Sequence, residues 1–380
     1  MPNWTTEERA RRVAEARELA RDALAPLADG GEPGRVNRPL VRGLAEAGLL
    51  GRLFPARLGG SGEDQVSATE LCVMREGVAM GSTEAETALA MQGLGGYPIL
   101  QSGSSYLADR WVPPIAVGEA VAAFALTEPG HGSDAAGLEL AAEREGEGYR
   151  LTGVKTWISN APDADVYVVF ARTTPEVRAK GVTAFVVPGD AEGLSGEPLT
   201  LLPTHPIGSL EFDSVFVPGD HVLGEVDGGF AVAMRTLDLF RPSVGAFAVG
   251  MAQAALDAAV AHAGSRQAFG RPLKEFQAVS HRLAEMATRT EAARLMVYAA
   301  AATYDAGGQA GVTRASAMAK LFATETAQWV VDAAIQVHGA AALERGHLLE
   351  KLYREVRAPR IYEGASEIQR EIIARDLFRD

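Results

Sequence analysis

Residues 361 to 369, "IYEGASEIQ", set one acid, Glu363, between Tyr362 and Gly364, just ahead of a helical pattern. A carboxylate beside an aromatic ring in a tight connection loses solvent, which raises its pKa and suits it to proton abstraction. The alternative is a solvated loop carboxylate. Gly364 permits a sharp turn or the close approach of a ligand. Upstream, "FALTEPGHGSDAAG" (124 to 137) offers the amides of Gly130 and Gly132, the Ser133 hydroxyl and Thr127. Such a loop binds a phosphate or a polar ring edge, or it uses glycine only to turn. In "KTWISN" (155 to 160), Trp157 precedes Ser159 and Asn160. A planar ring with a hydroxyl nearby suits stacking on a flat cofactor, as it suits a core. In "SRQAFGRPLKEFQ" (265 to 277), Arg266 and Arg271 flank a Phe-Gly turn, fit either for phosphates or for solvent. The seven histidines are scattered, with no His-x-x-x-His pair and no cysteine partner, so no metal site is expected. No Gly-x-Gly-x-x-Gly follows a strand, and there is no phosphate-binding P-loop.

Three segments would hold these stretches in place. Residues 1–120 are helical in period, as in "RPLVRGLAEAGLLG" and "SATELCVMREGVAM". Residues 121–225 change to short runs rich in Val, Thr and aromatics: "YRLTGVKTWISN", "ADVYVVFAR", "GVTAFVVPG" and "LEFDSVFVPG". These predict a small antiparallel sheet or barrel. Residues 226–380 return to long Ala-rich helical patterns with short connections, which predict a four-helix bundle. Helices this long suggest subunit contacts. Near the end, Pro359 should stop the helix of "LLEKLYREVR". Ser366-x-x-Gln369 has the form of a capping box opening the last helix.

Composition bounds the partners. Hydrophobic residues are 47% and charged residues 22% of 380, an ordinary globular balance, and the net charge is −13. An acidic surface attracts neither nucleic acid nor an anionic membrane. One cysteine, Cys72, permits no internal disulfide, which fits a reducing, cytoplasmic setting. The N-terminal stretch reads as a charged amphipathic helix with a Thr5-x-x-Glu8 cap and no secretory apolar region. No run of 18 apolar residues predicts a membrane span.

Taken in order, Thr-Glu-Pro-Gly, Trp-Ile-Ser-Asn, Arg-Gln-x-Phe-Gly-x-Pro-Leu, Gln-Val-His-Gly and Ile-Tyr-Glu-Gly resemble the acyl-CoA dehydrogenases over nearly the whole chain. The resemblance implies an α+β multidomain fold: an N-terminal α-helical domain, a middle β-domain and a C-terminal four-helix bundle. It implies FAD bound between the last two domains and reaching a neighbouring subunit of a homotetramer or dimer. It implies α,β-dehydrogenation of an acyl thioester, with Glu363 removing the α-proton, flavin N5 taking the β-hydride, and an electron-transfer flavoprotein as acceptor. Phe124, Leu126, Thr127 and Ser133 would contact FAD; Ser133 would also lie near the substrate's pantetheine arm. Trp157 would stack on the isoalloxazine, with Ile158 and Ser159 beside it. Arg266, Phe269, Gln277 and the loop of Gln336, Val337, Gly339 and Ala340 would hold FAD across the dimer interface. Ser366 and Glu367 would lie near its diphosphate or ribose. Arg241 and Gly364 would face substrate. Some members carry the base on the long helix; Phe240 stands at that place here and cannot serve.

The sequence departs from the family at several points. "QVHGAAALERG" has Ala340 and Ala342 where glycines are usual, so this loop either adopts an ordinary backbone or holds FAD more weakly. His131 replaces a small residue, and Ala365 the usual Thr. "PIGS" (206 to 209) lacks the Arg of the family's Gly-x-Arg-x-Ser/Thr segment near the CoA path. An acyl-carrier-protein thioester is therefore an alternative substrate. A flavin oxidase or monooxygenase of the same fold is a second alternative, and a non-catalytic helical scaffold is the alternative from another class.

Overall fold

The computed structural model describes residues 4–307 and 311–378. Helices α1 (Thr6–Leu19), α2 (Ala25–Asp29), α3 (Arg38–Glu46), α4 (Ala68–Gly81), α5 (Thr83–Ser102) and α6 (Ser105–Ala116) come first. Strands β1 (Ala122–Ala125), β2 (Ala141–Glu145), β3 (Gly148–Ser159), β4 (Val166–Arg172), β5 (Val182–Pro188), β6 (Leu194–Pro198), β7 (Ile207–Pro218) and β8 (Val222–Leu223) follow. The chain continues with α7 (Gly229–Ser265), the hairpin β9 (Gln267–Ala268) and β10 (Arg271–Pro272), then α8 (Gln277–Asp305) and α9 (Val312–His338). It closes with α10 (Leu348–Glu355) and α11 (Ser366–Leu377).

Its contacts form two compact units. One comprises Met1–Asp22, Ser67–Glu86 and Asp238–Asp380; the other comprises Ala23–Val66 and Thr87–Leu237.

The first unit is helical. At its start, Thr5 accepts from the Glu8 N–H while the Glu8 carboxylate accepts from the Thr5 N–H, the reciprocal cap the sequence predicts. Helix α4 packs on α1 and α8, and α9 on α8 and α11. These approaches are close. A Cβ on Gly77 would sit 2.5 Å from the Val13 carbonyl oxygen, and one on Gly250 2.4 Å from that of Glu76, so neither position has room for a side chain. Asp305, at the end of α8, accepts from the Ala68 and Thr69 N–H groups (2.7 and 3.0 Å) and the Ser67 hydroxyl (2.8 Å). An acid so placed satisfies orphan donors of α4 and complements its dipole. Helix α7 is long and apolar enough to span a membrane, but 72% of that window is buried within the protein, as in a core helix.

The second unit is built on a sheet of order β6-β7-β3-β2-β4-β5-β8, with β1 beside β4. The sheet is mixed, not all antiparallel: β1 and β2 both run parallel to β4. Strands β1, β2 and β6 are short and made largely of Ala, Gly and charged residues, which have weak strand propensity; tertiary pairing creates them. Alternate residues of the longer strands, among them Tyr149, Leu151, Tyr167, Val169, Phe185 and Phe212, fill the core.

Candidate active site

Glu363 lies in the turn between Ala358–Arg360 and α11. It has φ of 51°, followed by Gly364 at 91°. A left-handed glutamate is strained and persists only where its surroundings hold it. Lys320 on α9, with no exposed surface, donates to the carbonyls of Tyr362 (2.9 Å) and Gly364 (2.6 Å). Gln369 on α11 donates to the carbonyls of Glu363 (3.3 Å) and Gly364 (2.8 Å). All three carbonyls of the turn are therefore taken. The Glu363 N–H has no partner among the described residues, and the carboxylate oxygen Oε2 is closed to solvent with no hydrogen-bond donor.

Cations from three helices face this carboxyl. Burial raises the Glu363 pKa above the ordinary value, against the opposing charges of Arg75, Lys320 and Arg241. Arg75 of α4 is buried, paired through Nε with Glu86 of α5, and donates to Ser243 at 2.7 Å. Burial lifts Glu86 to about 7 although Arg75 opposes the shift, and the Glu86 Oε2 also lacks a partner. Arg241, 5% exposed, pairs with Asp238 at 3.2 Å, and burial lowers its pKa. Burial brings Lys320 down to about 8. The structure thus gathers Glu363, Gly364 and Arg241, and buries Phe240. Arg75, Glu86 and Lys320 were not singled out from sequence. Their signal was there: each is a charge within an apolar helical run, "CVMRE", "TEAETALA" and "AMAKLF".

The capping box expected at Ser366 does not form. Ala365 is the N-cap, and the buried Ser366 hydroxyl donates to Glu325 at 2.6 Å, while Arg360 pairs with the same carboxylate at 2.8 Å. Gln369, needed at the Glu363 and Gly364 carbonyls, cannot reciprocate. The Ser366 hydroxyl is thereby committed to Glu325. Glu367 is exposed, 3.5 Å from Arg370.

Elsewhere in this unit, Arg266, Phe269 and Gln277 are exposed around the β9–β10 hairpin. Phe269 and Gly270 both have positive φ, which throws the Phe269 ring 96% into solvent. His338 stacks on His262 with ring centres 4.2 Å apart, and the Arg266 N–H bonds the His262 carbonyl. This contact draws the end of α9, where Gln336 and Val337 are helical and not in a loop as expected, and the turn at Gly339 and Ala340 to the root of the hairpin. Residues Gly339–Leu343 wind as a 3₁₀ turn in which Gly339 alone has positive φ, so Ala340 and Ala342 take ordinary backbone angles.

In the sheet unit, "TEPG" and "KTWISN" are locked together. Glu128 accepts from the N–H groups of Glu139 (2.6 Å) and Leu140 (2.9 Å) and from Lys155 (2.8 Å), whose Nζ also donates to the Leu126 carbonyl at 3.0 Å. The Thr156 N–H bonds the Thr127 carbonyl at 3.0 Å. Burial pushes the Glu128 carboxyl up, but Lys155 and the two amides outweigh it and hold it below the usual range. The register of β3 against β7 slips between Lys155 and Ile158, and Trp157 within that bulge has φ of 52°. Bulges re-aim side chains, and here the Trp157 ring stands 50% exposed. Ile158 is 1% exposed, its side chain packed into the sheet core. Ser159 and Phe124 are half-buried, the latter 4.8 Å from Phe170, and Ser133 is exposed. His131 sits 3.7 Å from Glu128. The Trp157 ring, bared beside a rigid, half-polar loop, fits a planar cofactor such as flavin.

Comparisons with known proteins agree with this arrangement. Family models match three parts of the chain: "Acyl-CoA dehydrogenase, N-terminal domain" at residues 6–119, "middle domain" at 123–215 and "C-terminal domain" at 227–378. The chain is 36% identical over 382 residues to cyclohexane-1-carbonyl-CoA dehydrogenase of Geobacter metallireducens, covering 99% of each. It is 36% identical over 351 residues to the caffeyl-CoA reductase-Etf complex subunit CarC of Acetobacterium woodii, covering 92% of each. The structure of butyryl-CoA dehydrogenase from Megasphaera elsdenii superposes with a TM-score of 0.92 at 32% identity, covering 100% of each chain. The fold and site define a flavoprotein oxidoreductase acting on carbon–carbon single bonds. The chain belongs to the acyl-CoA dehydrogenase family; its cofactor is FAD and its reaction the dehydrogenation of an acyl-CoA.

Proposed function

We propose that Glu363 is the base of this reaction and removes the α-proton of a saturated acyl-CoA, giving the trans-2-enoyl thioester. The observation that carries the reading is the carboxylate itself: Oε2 is shut off from solvent and accepts nothing, on a residue held in a left-handed turn. An unfilled acceptor with a burial-raised pKa is matched to taking a proton. A thioester α-proton is weakly acidic, so the carbonyl must be polarised as negative charge develops. The unpartnered Glu363 N–H supports that role. The α-proton goes to the Glu363 carboxylate, the β-hydrogen leaves with its electron pair, and the double bond forms between the two carbons. FAD, when bound, supplies the acceptor for that hydride. Arg241 and Gly364 support the substrate side of the turn.

An electron-transfer flavoprotein is the proposed acceptor, supported by the Etf complex of the Acetobacterium relative. A cytoplasmic setting and a homotetramer or dimer are proposed as well, the assembly supported by the bared Phe269 ring. The missing Arg near "PIGS" favours a carrier-protein thioester as a second reading. Anaerobic titration with short, medium and branched acyl-CoAs, following the visible flavin band, tests the proposal. One chain class should bleach the wild type, and Glu363→Gln should abolish bleaching. Bleaching of the variant at the wild-type rate would remove Glu363 as base. Bleaching by carrier-bound thioesters alone would replace CoA.

A further inference from the structure

Lys320 is buried without an acid for a partner. Arg75 has Glu86 and Ser243, and Arg241 has Asp238, whereas the Lys320 ammonium forms no ion pair among the described residues and is bonded to the Tyr362 and Gly364 carbonyls. Those carbonyls belong to the two residues on either side of Glu363. Neutral donors suffice to tie down two carbonyls, and burying an ammonium is unfavourable unless its charge is used.

On the reading that Glu363 is the base, we propose that Lys320 is its positioning residue: from α9 it clamps both sides of the turn, holds Glu363 left-handed and sets a positive charge behind the carboxylate. Gln369 completes the clamp from α11. The charge has a direction of action. Groups facing Glu363 are Arg75 from α4, Glu86 from α5, Arg241 from α7, Lys320 from α9 and the adjoining Tyr362; Glu325 and Glu367 also act on Lys320. Glu363 is the foremost charge opposing the burial shift of Lys320. The base works deprotonated, so the rate rises with pH through the Glu363 pKa. Removing the ammonium must move that rise to higher pH.

The test compares Lys320→Met with Lys320→Arg in FAD-loaded protein, reading kcat, KM, the pH profile, FAD content and thermal melting. Lys320→Met should lower kcat about 10–100-fold, the cost of a misplaced reacting group. KM should stay within about threefold, since substrate contacts remain. The acid limb should move up while FAD content is kept. Lys320→Arg, which retains charge and donors, should restore the limb and most of kcat. Unchanged kcat and limb in Lys320→Met overturn the proposal, as does a loss that tracks FAD release and melting with the limb unmoved. If Lys320→Met does not fold, a folded Lys320→Arg with kcat lost and its limb displaced overturns it, and wild-type values support it. An inert Glu363→Gln beside a fully active Lys320→Met sinks this inference alone; an active Glu363→Gln sinks the base.

Discussion

Glu128 and Glu363 are both sheltered carboxylates beside a buried lysine, and their surroundings drive them in opposite directions. Glu128 accepts from two backbone amides and pairs directly with Lys155, so its pKa falls. Glu363 has its lysine bonded to the neighbouring carbonyls and its Oε2 accepts nothing, so burial prevails over the nearby cations and its pKa rises. The first arrangement fixes a loop against a strand. The second leaves a carboxylate poised to gain a proton. On the reading proposed for Glu363, filled acceptors go with the structural acid of this pair and the empty one with the reactive acid.

The largest effect expected from this contrast is on turnover. Glu363→Gln should cost about 10²–10⁴-fold or more in flavin reduction, the range of a general base, with the fold intact. Glu128→Leu should instead act through stability. It strands Lys155 in the core, at a cost of about 3–5 kcal/mol. Denaturant unfolding measures it, and a drop below about 1 kcal/mol would contradict the structural role. Adding Lys155→Met should recover only part of the loss, because the Glu139 and Leu140 N–H groups stay unpaired.

Stability against pH should differ in sign between the two acids. Glu128 has a depressed folded pKa, so it contributes stability above the unfolded carboxyl value near ~4.3, lost as pH falls through the folded pKa. Glu363 has a raised folded pKa, so ionising it opposes folding. Glu363→Gln should melt higher than wild type at pH 8, and the gain should fade as pH drops through the folded pKa and vanish below about 4. Melting curves from pH 4 to 8 decide this, and a gain that grew towards low pH would reverse the argument.

Much of this was legible in the sequence, for reasons that differ by residue. The long helices, β3, β4, β5 and β7 were carried by hydrophobic period and length. Glu363 stood out locally as an acid between an aromatic and a glycine before a helix, a pattern that suits a solvated loop acid as well as a base, and the family resemblance assigned it. What failed was non-local. The short strands β1, β2 and β6 exist only through pairing. Arg75, Glu86 and Lys320 meet Glu363 from segments more than 40 residues away in sequence, and no spacing rule connects them.

The two capping motifs show the same limit and give the smallest test. Thr5-x-x-Glu8 and Ser366-x-x-Gln369 look alike, yet only the first forms the box. Thr5 and Glu8 are exposed at the start of α1 and bond each other. Ser366 is buried beside Glu325, and a charged acceptor wins its hydroxyl from the backbone. Ser366→Ala should therefore lose a charge-assisted hydrogen bond, about 1–2 kcal/mol, discounted because Glu325 is partly exposed. A tether through Glu325 makes a further claim that a cap does not. In a double-mutant cycle with Glu325→Ala the two losses should fail to add, whereas with Gln369→Ala they should add, since Gln369 serves the Glu363 and Gly364 carbonyls and not Ser366. Coupling to Gln369 in place of Glu325 would restore the capping box that the sequence suggested.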